Sequence, residues 1–214
     1  MELNNININK QSSIRIAGEK ILYFDPFKIE NESHDADYIF ITHEHYDHFD
    51  PSSIDKIKKD DTMIIAPDTM KKKLLKELKI NEDNCLFAKP NDTYELDTIN
   101  VVTIPAYNTL KPFHMKSSKW LGYIVKMDDI KYYISGDTDA NKEVMNVKCD
   151  VALIPIGGFY TMDKKQAAEL IINMKPKAVI PTHYGDIVGS KEDGIQFKEL
   201  VTASNDNIQV AVIL

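Results

Sequence analysis

Residues 38–48 read YIFITHEHYDH. The first four residues are apolar and rich in β-branched and aromatic types, which predicts a short buried strand. This strand leads directly into Thr42 and His43, so the polar half of the stretch lies in a loop at the end of the strand. Residues 43–48 contain three of the six histidines of the chain.

The spacing of these polar residues is typical of a metal site. Neutral imidazole and carboxylate suit a borderline divalent ion such as zinc, manganese or iron. The four candidate ligands are His43, His45, Asp47 and His48. A solvated loop with incidental histidines is the competing interpretation, and the concentration of histidine in one hexapeptide favours the metal site. The density of ligands favours two ions over one.

Composition describes an ordinary globular protein. The chain has 214 residues, 43% of them hydrophobic and 28% charged, which predicts one packed domain over residues 1–214. A net charge of −7 disfavours a broad basic surface for nucleic acid, so we expect a small-molecule substrate. A homo-oligomer is compatible with this composition.

Cysteine content and the N-terminal residues predict the cellular location of the protein. Cys85 and Cys149 are the only cysteines, so no disulfide framework is implied. Residues 1–10 show neither an export signal nor an apolar span, and we expect a cytoplasmic protein that does not cross a membrane.

Strand and helix patterns alternate along the whole chain. Predicted strands cover residues 13–16, 21–24, 38–41, 63–66, 99–104, 121–127, 130–134, 151–154, 178–180 and 209–213. Predicted helices begin near Ser52 and after a cap at Asp68, and cover residues 166–174 and 192–204. This mixture fits an α/β (α+β) architecture of two packed sheets with helices outside, although other layerings have the same composition.

The motif H-x-H-x-D-H after a hydrophobic strand resembles the signature of the metallo-β-lactamase superfamily. The resemblance extends from about Ile14 to Ile187, most of the chain. It implies a four-layer αββα metallo-β-lactamase sandwich. It also implies that later strand ends supply another histidine, an aspartate that bridges two metals, and a last histidine.

Two of these later positions follow predicted strands. Residues 136–138 have the superfamily's G-D-T form, so Asp137 matches the bridging aspartate, and Gly136 allows a sharp turn there. His183, in the segment PTHYG, matches the last histidine. Taken alone, Asp137 would be better explained by a simple turn and His183 by a structural role, so both assignments depend on the resemblance.

The third motif departs from the common pattern. Residues 104–108 read IPAYN, and Asn108 stands where many members carry histidine. Asparagine binds such metals poorly, so we expect His114 to be the ligand, with a role facing the substrate as the alternative. The pattern is similar to that of a bacterial and archaeal branch near the L-ascorbate-6-phosphate lactonase-like members.

The resemblance implies a complete dinuclear site. One metal would be bound by His43, His45 and His114, the other by Asp47, His48 and His183, and both by Asp137. We expect two divalent ions, zinc first and manganese or iron as alternatives, with a bridging water whose pKa falls toward about 7.

The hydroxide formed in this way would attack an ester, lactone or phosphoester bond of a small molecule. Asp47 is the predicted catalytic residue that orients it. Weaker candidates for substrate contact are Asn108, Tyr160 and Tyr184; His114 and Tyr184 are weak candidates for protonating the leaving group.

Two other functions fit the same motifs. A di-iron redox member would usually have glutamate at position 45 and work beside a flavin domain, which is not visible in this sequence. A non-catalytic binding or regulatory module would explain Asn108 in the third motif.

Overall fold

The computed structural model describes residues 2–214, and the strands of the N-terminal half form one six-stranded sheet. Its strands are β1 (Ile6–Ile8), β2 (Ile14–Ala17), β3 (Ile21–Phe24), β4 (Ala36–Phe40), β5 (Lys58–Pro67) and β6 (Cys85–Ala88), in that spatial order. The first three strands are antiparallel, and β3 to β6 are parallel.

The remaining strands form a seven-stranded sheet. They are β7 (Thr93–Leu96), β8 (Ile99–Pro105), β9 (Leu121–Met127), β10 (Ile130–Ile134), β11 (Val151–Pro155), β12 (Ala178–Thr182) and β13 (Gln209–Val210), again neighbours in chain order. Strands β7 to β10 are antiparallel and β10 to β13 are parallel.

Helices connect the strands on the outside of both sheets. The α-helices are α1 (Pro51–Ile57), α2 (Lys71–Leu78), α3 (Lys142–Met145), α4 (Lys164–Met174) and α5 (Glu192–Ser204). Short 3-10 helices cover Asp68–Met70, Glu82–Asn84 and Lys116–Ser118. Asp163 begins α4 with a capping box, in which its side chain accepts from the backbone of Gln166.

Three layers of apolar side chains hold the two sheets and the helices together. Strand β4 contributes to two of these layers. Tyr38 and Phe40 pack into the core between the sheets, whereas Ala36 and Ile39 pack on the opposite face against α1 and α2. A third cluster packs the second sheet against α3, α4 and α5. The order helix, sheet, sheet, helix confirms the predicted αββα sandwich.

The predicted elements agree with the structure wherever the apolar pattern is long. Strands β3, β9 and β10 and helix α5 have the predicted bounds. Strands β1, β6 and β7 and helix α3 were not predicted, because each has only three or four residues, too few for a clear pattern. Strand β13 ends at Val210, before the predicted end at residue 213.

The predicted cap at Asp68 is wrong. Residues Asp68–Met70 form a 3-10 turn, and α2 begins only at Lys71 without a side-chain cap. Across residues 2–214, none of the helices is long and apolar enough to cross a membrane.

Candidate metal centre

The carboxyl ends of strands from both sheets meet at one edge of the sandwich. Strand β4 is joined to the second sheet there, since the backbone N–H of Leu121 donates to the carbonyl of Thr42 and the Tyr123 hydroxyl donates to the carbonyl of Ile41. Strands β8, β10 and β12 run in the same direction within the second sheet. The loops that follow these strands therefore converge.

The loop after β4 presents its ligand candidates inward and its other side chains outward. His43, Asp47 and His48 are buried, and His45 is half-buried. Glu44 and Tyr46, which alternate with them, are exposed. The backbone N–H of His48 donates to the carbonyl of His45, which closes the turn.

Asp137 enters this cluster from the end of β10 and lies at its centre. Its carboxylate oxygens are 3.4 Å from Nε2 of His48, 3.3 Å from Nε2 of His114, 3.2 Å from Nε2 of His183 and 4.0 Å from Nε2 of His43. A single carboxylate thus contacts histidines from three different loops.

The other predicted ligands divide into two groups around Asp137. His43, His45 and His114 offer nitrogen atoms within 4.8 Å of one another, and so do the ligand atoms of Asp47, His48 and His183. All seven side chains proposed from the sequence are brought together.

Several polar atoms in the cluster have no protein partner. Nε2 of His48, His114 and His183 and one Asp137 oxygen are buried without a hydrogen bond, although such atoms are normally paired inside proteins. Imidazole nitrogen and carboxylate oxygen are the donors that zinc, manganese and iron accept. The residues therefore fit a metal ion as the missing partner.

Burial and neighbouring charges shift the pKa values of the histidines in opposite directions. Burial, reinforced by repulsion from His48, lowers the pKa of His43 well below its usual value. Burial acts in the same direction on His183, but Asp137 and Asp47 outweigh it and raise its pKa to about 9. A metal ion must therefore displace a proton from His183 at neutral pH.

The carboxylates stay ionised. Burial works to raise the pKa of Asp137, but His183 and His48 outweigh it and hold the pKa well below its usual value. The pKa of Asp47 is lowered in the same way, because the nearby His183 imidazole and the charge of His48 outweigh burial. Both carboxylates are thus charged and ready to bind a cation.

Asp25 supports the cluster from behind and was not predicted as a functional residue. It follows β3 and is fully buried. Its carboxylate accepts from the backbone N–H and hydroxyl of Thr42, both at 2.7 Å, and lies 2.7 Å from Nδ1 of His48. Burial raises the pKa of Asp25, and the charge of His48 opposes that effect. In its ionised form the carboxylate only accepts, so Nδ1 of His48 donates and Nε2 is the nitrogen left to bind metal once it has lost its proton.

The sequence feature that could have identified Asp25 as a functional residue is its position directly after strand β3. That position becomes informative only once β3 and β4 are known to pair in parallel. The sequence alone shows Asp25-Pro26 as the end of a strand and nothing more.

Trp120 is the second neighbour that sequence reasoning missed. Its ring centroid lies 4.8 Å from that of His43, 4.9 Å from that of His45 and 5.4 Å from that of His114. It is the single tryptophan of the chain. Its fluorescence is therefore a local probe of the cluster.

His114 and His183 both adopt left-handed backbone conformations, with φ of 57° and 56°. Such values are uncommon for residues other than glycine and mark positions that the surrounding structure holds in place. The backbone N–H of His183 donates to the carbonyl of Gln11, and the carbonyl of His114 accepts from the N–H of Asn108.

Asn108 lies behind His114 instead of in the open cavity. Its side-chain nitrogen donates to the carbonyl of Tyr160 at 2.7 Å and lies 3.3 Å from Nδ1 of His114. The Asn108 side chain is therefore placed to orient His114.

The two tyrosines proposed as substrate contacts lie in different surroundings. Tyr160 lines a cavity of about 240 Å³ whose floor contains His45, Asp47 and Asp137. Tyr184 is buried in the outer core, and a side-chain carbon at Gly194 of α5 would lie 2.4 Å from its hydroxyl. The structure thus brings Tyr160, but not Tyr184, to the cavity.

Gly136 permits the turn that delivers Asp137. It has a φ of 61°, and a Cβ there would lie 2.9 Å from Cβ of Thr42. We expect Gly136→Ala to lower the free energy of unfolding by about 1–3 kcal/mol, from backbone strain and this contact together. Urea unfolding of the metal-free protein measures it.

Gly158→Ala is the matched comparison for this prediction. Gly158 also has a positive φ, 91°, but a Cβ there would lie 3.6 Å from its nearest neighbour. It should therefore show the strain without the contact. Equal losses for the two variants would remove the close approach of Thr42 from the explanation.

Comparisons with known proteins define the class. A family model described as "Beta-lactamase superfamily domain" matches residues 9–183. The chain is 31% identical to a UPF0173 metal-dependent hydrolase of Pyrococcus horikoshii, over 92% of this chain and 91% of the relative. A UPF0173 metal-dependent hydrolase of Nanoarchaeum equitans is 32% identical, over 87% of this chain and 86% of the relative.

Solved structures agree with this class. A protein of Parabacteroides distasonis described as a metal-dependent hydrolase superposes with a TM-score of 0.80 at 30% identity, covering 97% of this chain and 91% of that one. A metallo hydrolase of Ignicoccus hospitalis has the same fold, with a TM-score of 0.79 at 21% identity and coverage of 97% and 93%.

The fold and these matches define a metal-dependent hydrolase of the metallo-β-lactamase superfamily. Within that class, the chain belongs to the UPF0173 metal-dependent hydrolase family. Membership of a hydrolase family favours an enzyme over the non-catalytic module.

Proposed function

We propose that this hydrolase cleaves an ester, lactone or phosphoester bond of a small molecule at a centre of two divalent metal ions, with zinc as the first candidate. The observation that carries the proposal is the position of Asp137 between two groups of three candidate ligands. A single ion would leave one of these groups without a partner.

The ligand groups suggest which residues would hold each ion. The first ion would be bound by His43, His45 and His114, the second by Asp47, His48 and His183, with Asp137 shared. When bound, two cations supply a nucleophile at neutral pH by lowering the pKa of a shared water toward about 7 and stabilise charge on the reacting carbonyl or phosphoryl oxygen.

The protein's own residues orient the reaction. Asp47 lies at the floor of the cavity, with an oxygen 3.4 Å from Nε2 of His183 and 3.7 Å from Nε2 of His48. Because it stays ionised, Asp47 can accept a hydrogen bond from the attacking water or hydroxide and orient this nucleophile toward the substrate. Asp25 keeps His48 in the tautomer that can bind metal.

Neither sequence candidate for protonating the leaving group fits this arrangement. Tyr184 is buried away from the cavity, and His114 lines the cavity but is a proposed metal ligand, so its Nε2 would carry no proton. The similarity to the L-ascorbate-6-phosphate lactonase-like branch stays a prediction from the third motif. A cytoplasmic location and a homo-oligomer stay predictions from the N-terminal residues and the composition.

Metal titration of the metal-free protein tests the number of ions. We expect metal analysis after dialysis against zinc or manganese to give two equivalents per chain. The fluorescence of Trp120 should report binding of the first ion, because the ring lies beside that ion's three proposed ligands. One equivalent in the metal analysis would contradict the dinuclear centre.

Two controls keep the titration specific. His34→Ala removes the exposed histidine outside the cluster and should leave the stoichiometry unchanged. The half-buried cysteines should not compete, since burial raises the pKa of Cys85 to about 11 and that of Cys149 to about 12. The loaded protein is then assayed with lactones, thioesters, phosphodiesters and phosphorylated sugars.

A further inference from the structure

An aromatic rim stands at the mouth of the cavity above the candidate metal centre. It consists of Phe113, Phe159 and Tyr160. The Phe113 and Tyr160 ring centroids lie 4.9 Å apart, those of Phe159 and Tyr160 4.8 Å, and those of Phe113 and Phe159 6.1 Å. Phe113 is 39% exposed and Phe159 69% exposed, so much of this apolar surface faces solvent.

The rim joins two loops that hydrogen bonds hold together. Asn108 donates to the carbonyl of Tyr160 at 2.7 Å, and the N–H of Asn108 donates to the carbonyl of His114 at 2.8 Å. The Lys111 ammonium bridges the Asp139 carboxylate and the carbonyl of Thr161. The rings are thus held in position before any ligand binds, which lowers the entropic cost of binding.

The rest of the cavity wall is apolar as well. Phe113 and Tyr160 line the cavity together with Tyr46 and Ile187, while the charged or titratable lining residues are the candidate metal ligands. Neither lysine nor arginine lines this cavity in the described part of the chain.

Two lysines pair with carboxylates that are next in sequence to cavity-lining residues. Lys28 lies 3.1 Å from Asp186, beside Ile187. Lys73 lies 3.6 Å from the Glu44 carboxylate, beside His45. Recognition of a phosphate normally uses arginine or lysine side chains that reach it. Neither of these lysines lines the cavity, and nor does Lys111, which binds Asp139.

We propose that Phe113, Phe159 and Tyr160 bind an uncharged apolar group, aromatic or alkyl, that lies next to the bond to be cleaved. The proposal rests on the proposed function and narrows its substrate class to apolar esters or lactones, away from phosphorylated sugars. A small molecule is the occupant because the rim leads into a cavity whose floor contains Asp137 and His114. The flat face of a second folded chain would not reach that floor.

Three hydroxamates with the same metal-binding head group test the proposal. Acetohydroxamate, phenylacetohydroxamate and phosphonoacetohydroxamate differ only in the methyl, benzyl or phosphonomethyl group beside it. Dissociation constants for the zinc-loaded protein are measured from Trp120 fluorescence and from calorimetry. We expect the phenyl ring to tighten binding about 10- to 100-fold over acetohydroxamate, and the phosphonate to give no comparable gain.

Substitutions at the rim locate the effect. Phe113→Ala should remove most of the gain from the phenyl ring, measured as the ratio of the acetohydroxamate and phenylacetohydroxamate dissociation constants in the same variant. Leu110→Ala is the matched control, since Leu110 lies on the same loop, is 97% exposed and does not line this cavity. It should preserve the full gain. Phe159→Ala should give a smaller loss than Phe113→Ala, because Phe159 supports the rim from outside the cavity.

The outcomes separate this proposal from the proposed function. If acetohydroxamate does not bind the metal-loaded protein, the metal centre itself fails. If acetohydroxamate binds but the phenyl ring gives no gain, or the phosphonate gives a larger one, the apolar recognition is overturned and the metal centre stands. A change in oligomeric state of Phe113→Ala, with ligand discrimination intact, would assign the rim to a protein interface and would also overturn it.

Discussion

Asp137→Ala is expected to abolish hydrolysis and to reduce bound metal below two ions per chain. The carboxylate lies 3.2–3.4 Å from Nε2 of His48, His114 and His183, and within residues 2–214 no second carboxylate pairs with all three. Its removal leaves the two ligand groups without a shared anion. We expect a rate loss of at least about a thousandfold, measured beside metal content on the best substrate of the panel.

The control for this variant lies two residues further along. Asp139 faces Lys111 and the backbone of Thr109, away from the histidines. Asp139→Asn should therefore retain both metals and activity. Full activity of Asp137→Ala would rule out the proposed centre, and so would loss of metal in Asp139→Asn without loss in Asp137→Ala.

Asp25→Ala should cause the largest loss of stability among the residues around the centre. The substitution leaves three buried donors without an acceptor, namely the N–H and hydroxyl of Thr42 and Nδ1 of His48. Breaking a buried charged pair typically costs about 3–5 kcal/mol, and we expect a loss in that range in the free energy of unfolding. Urea unfolding of the metal-free protein measures it.

Asp25→Asn separates stability from metal binding. Asparagine tolerates the left-handed backbone of residue 25, where φ is 45°, and its amide oxygen can still accept from Thr42. Its NH₂ group would donate to Nδ1 of His48, which places the remaining proton on Nε2 and blocks the lone pair. We expect a smaller loss of stability than for alanine but about 10- to 100-fold weaker metal binding.

The direction of the His48 pKa gives this comparison a second readout. Burial lowers that pKa, but Asp137 and Asp25 outweigh it and raise it well above its usual value. A neutral residue at position 25 should lower the pKa of His48. An NMR titration of the metal-free protein would show this as a midpoint at lower pH. Unchanged metal affinity and pKa in Asp25→Asn would show that Asp25 supports only the fold.

Much of the site could be predicted because its ligands follow recognisable strands. The apolar run before His43 and the strand before Asp137 have clear patterns, and both end at the same edge of the sandwich. Residues without a local signature were missed. Asp25 and Trp120 become meaningful only through contacts with residues distant in the chain.

The third motif shows how far local reasoning extends. The sequence indicates that Asn108 is a poor metal ligand and that His114 is the nearest alternative. Only the folded loop shows His114 beside Asp137 and Asn108 behind it. The role of His114 as a ligand stays a prediction until metal is measured in a variant at that position.

The sequence by itself determined the kind of chemistry, because histidine and aspartate in one hexapeptide have few uses other than binding metal. The αββα sandwich and the grouping of ligands followed from the resemblance to the metallo-β-lactamase superfamily, since the alternating strand and helix patterns alone would also permit other α/β layerings. The tertiary structure alone decided the distances between Asp137 and its neighbours, the support from Asp25 and the apolar mouth formed by Phe113 and Tyr160. These features depend on contacts between loops far apart in the chain, and a local pattern carries no information about such distances.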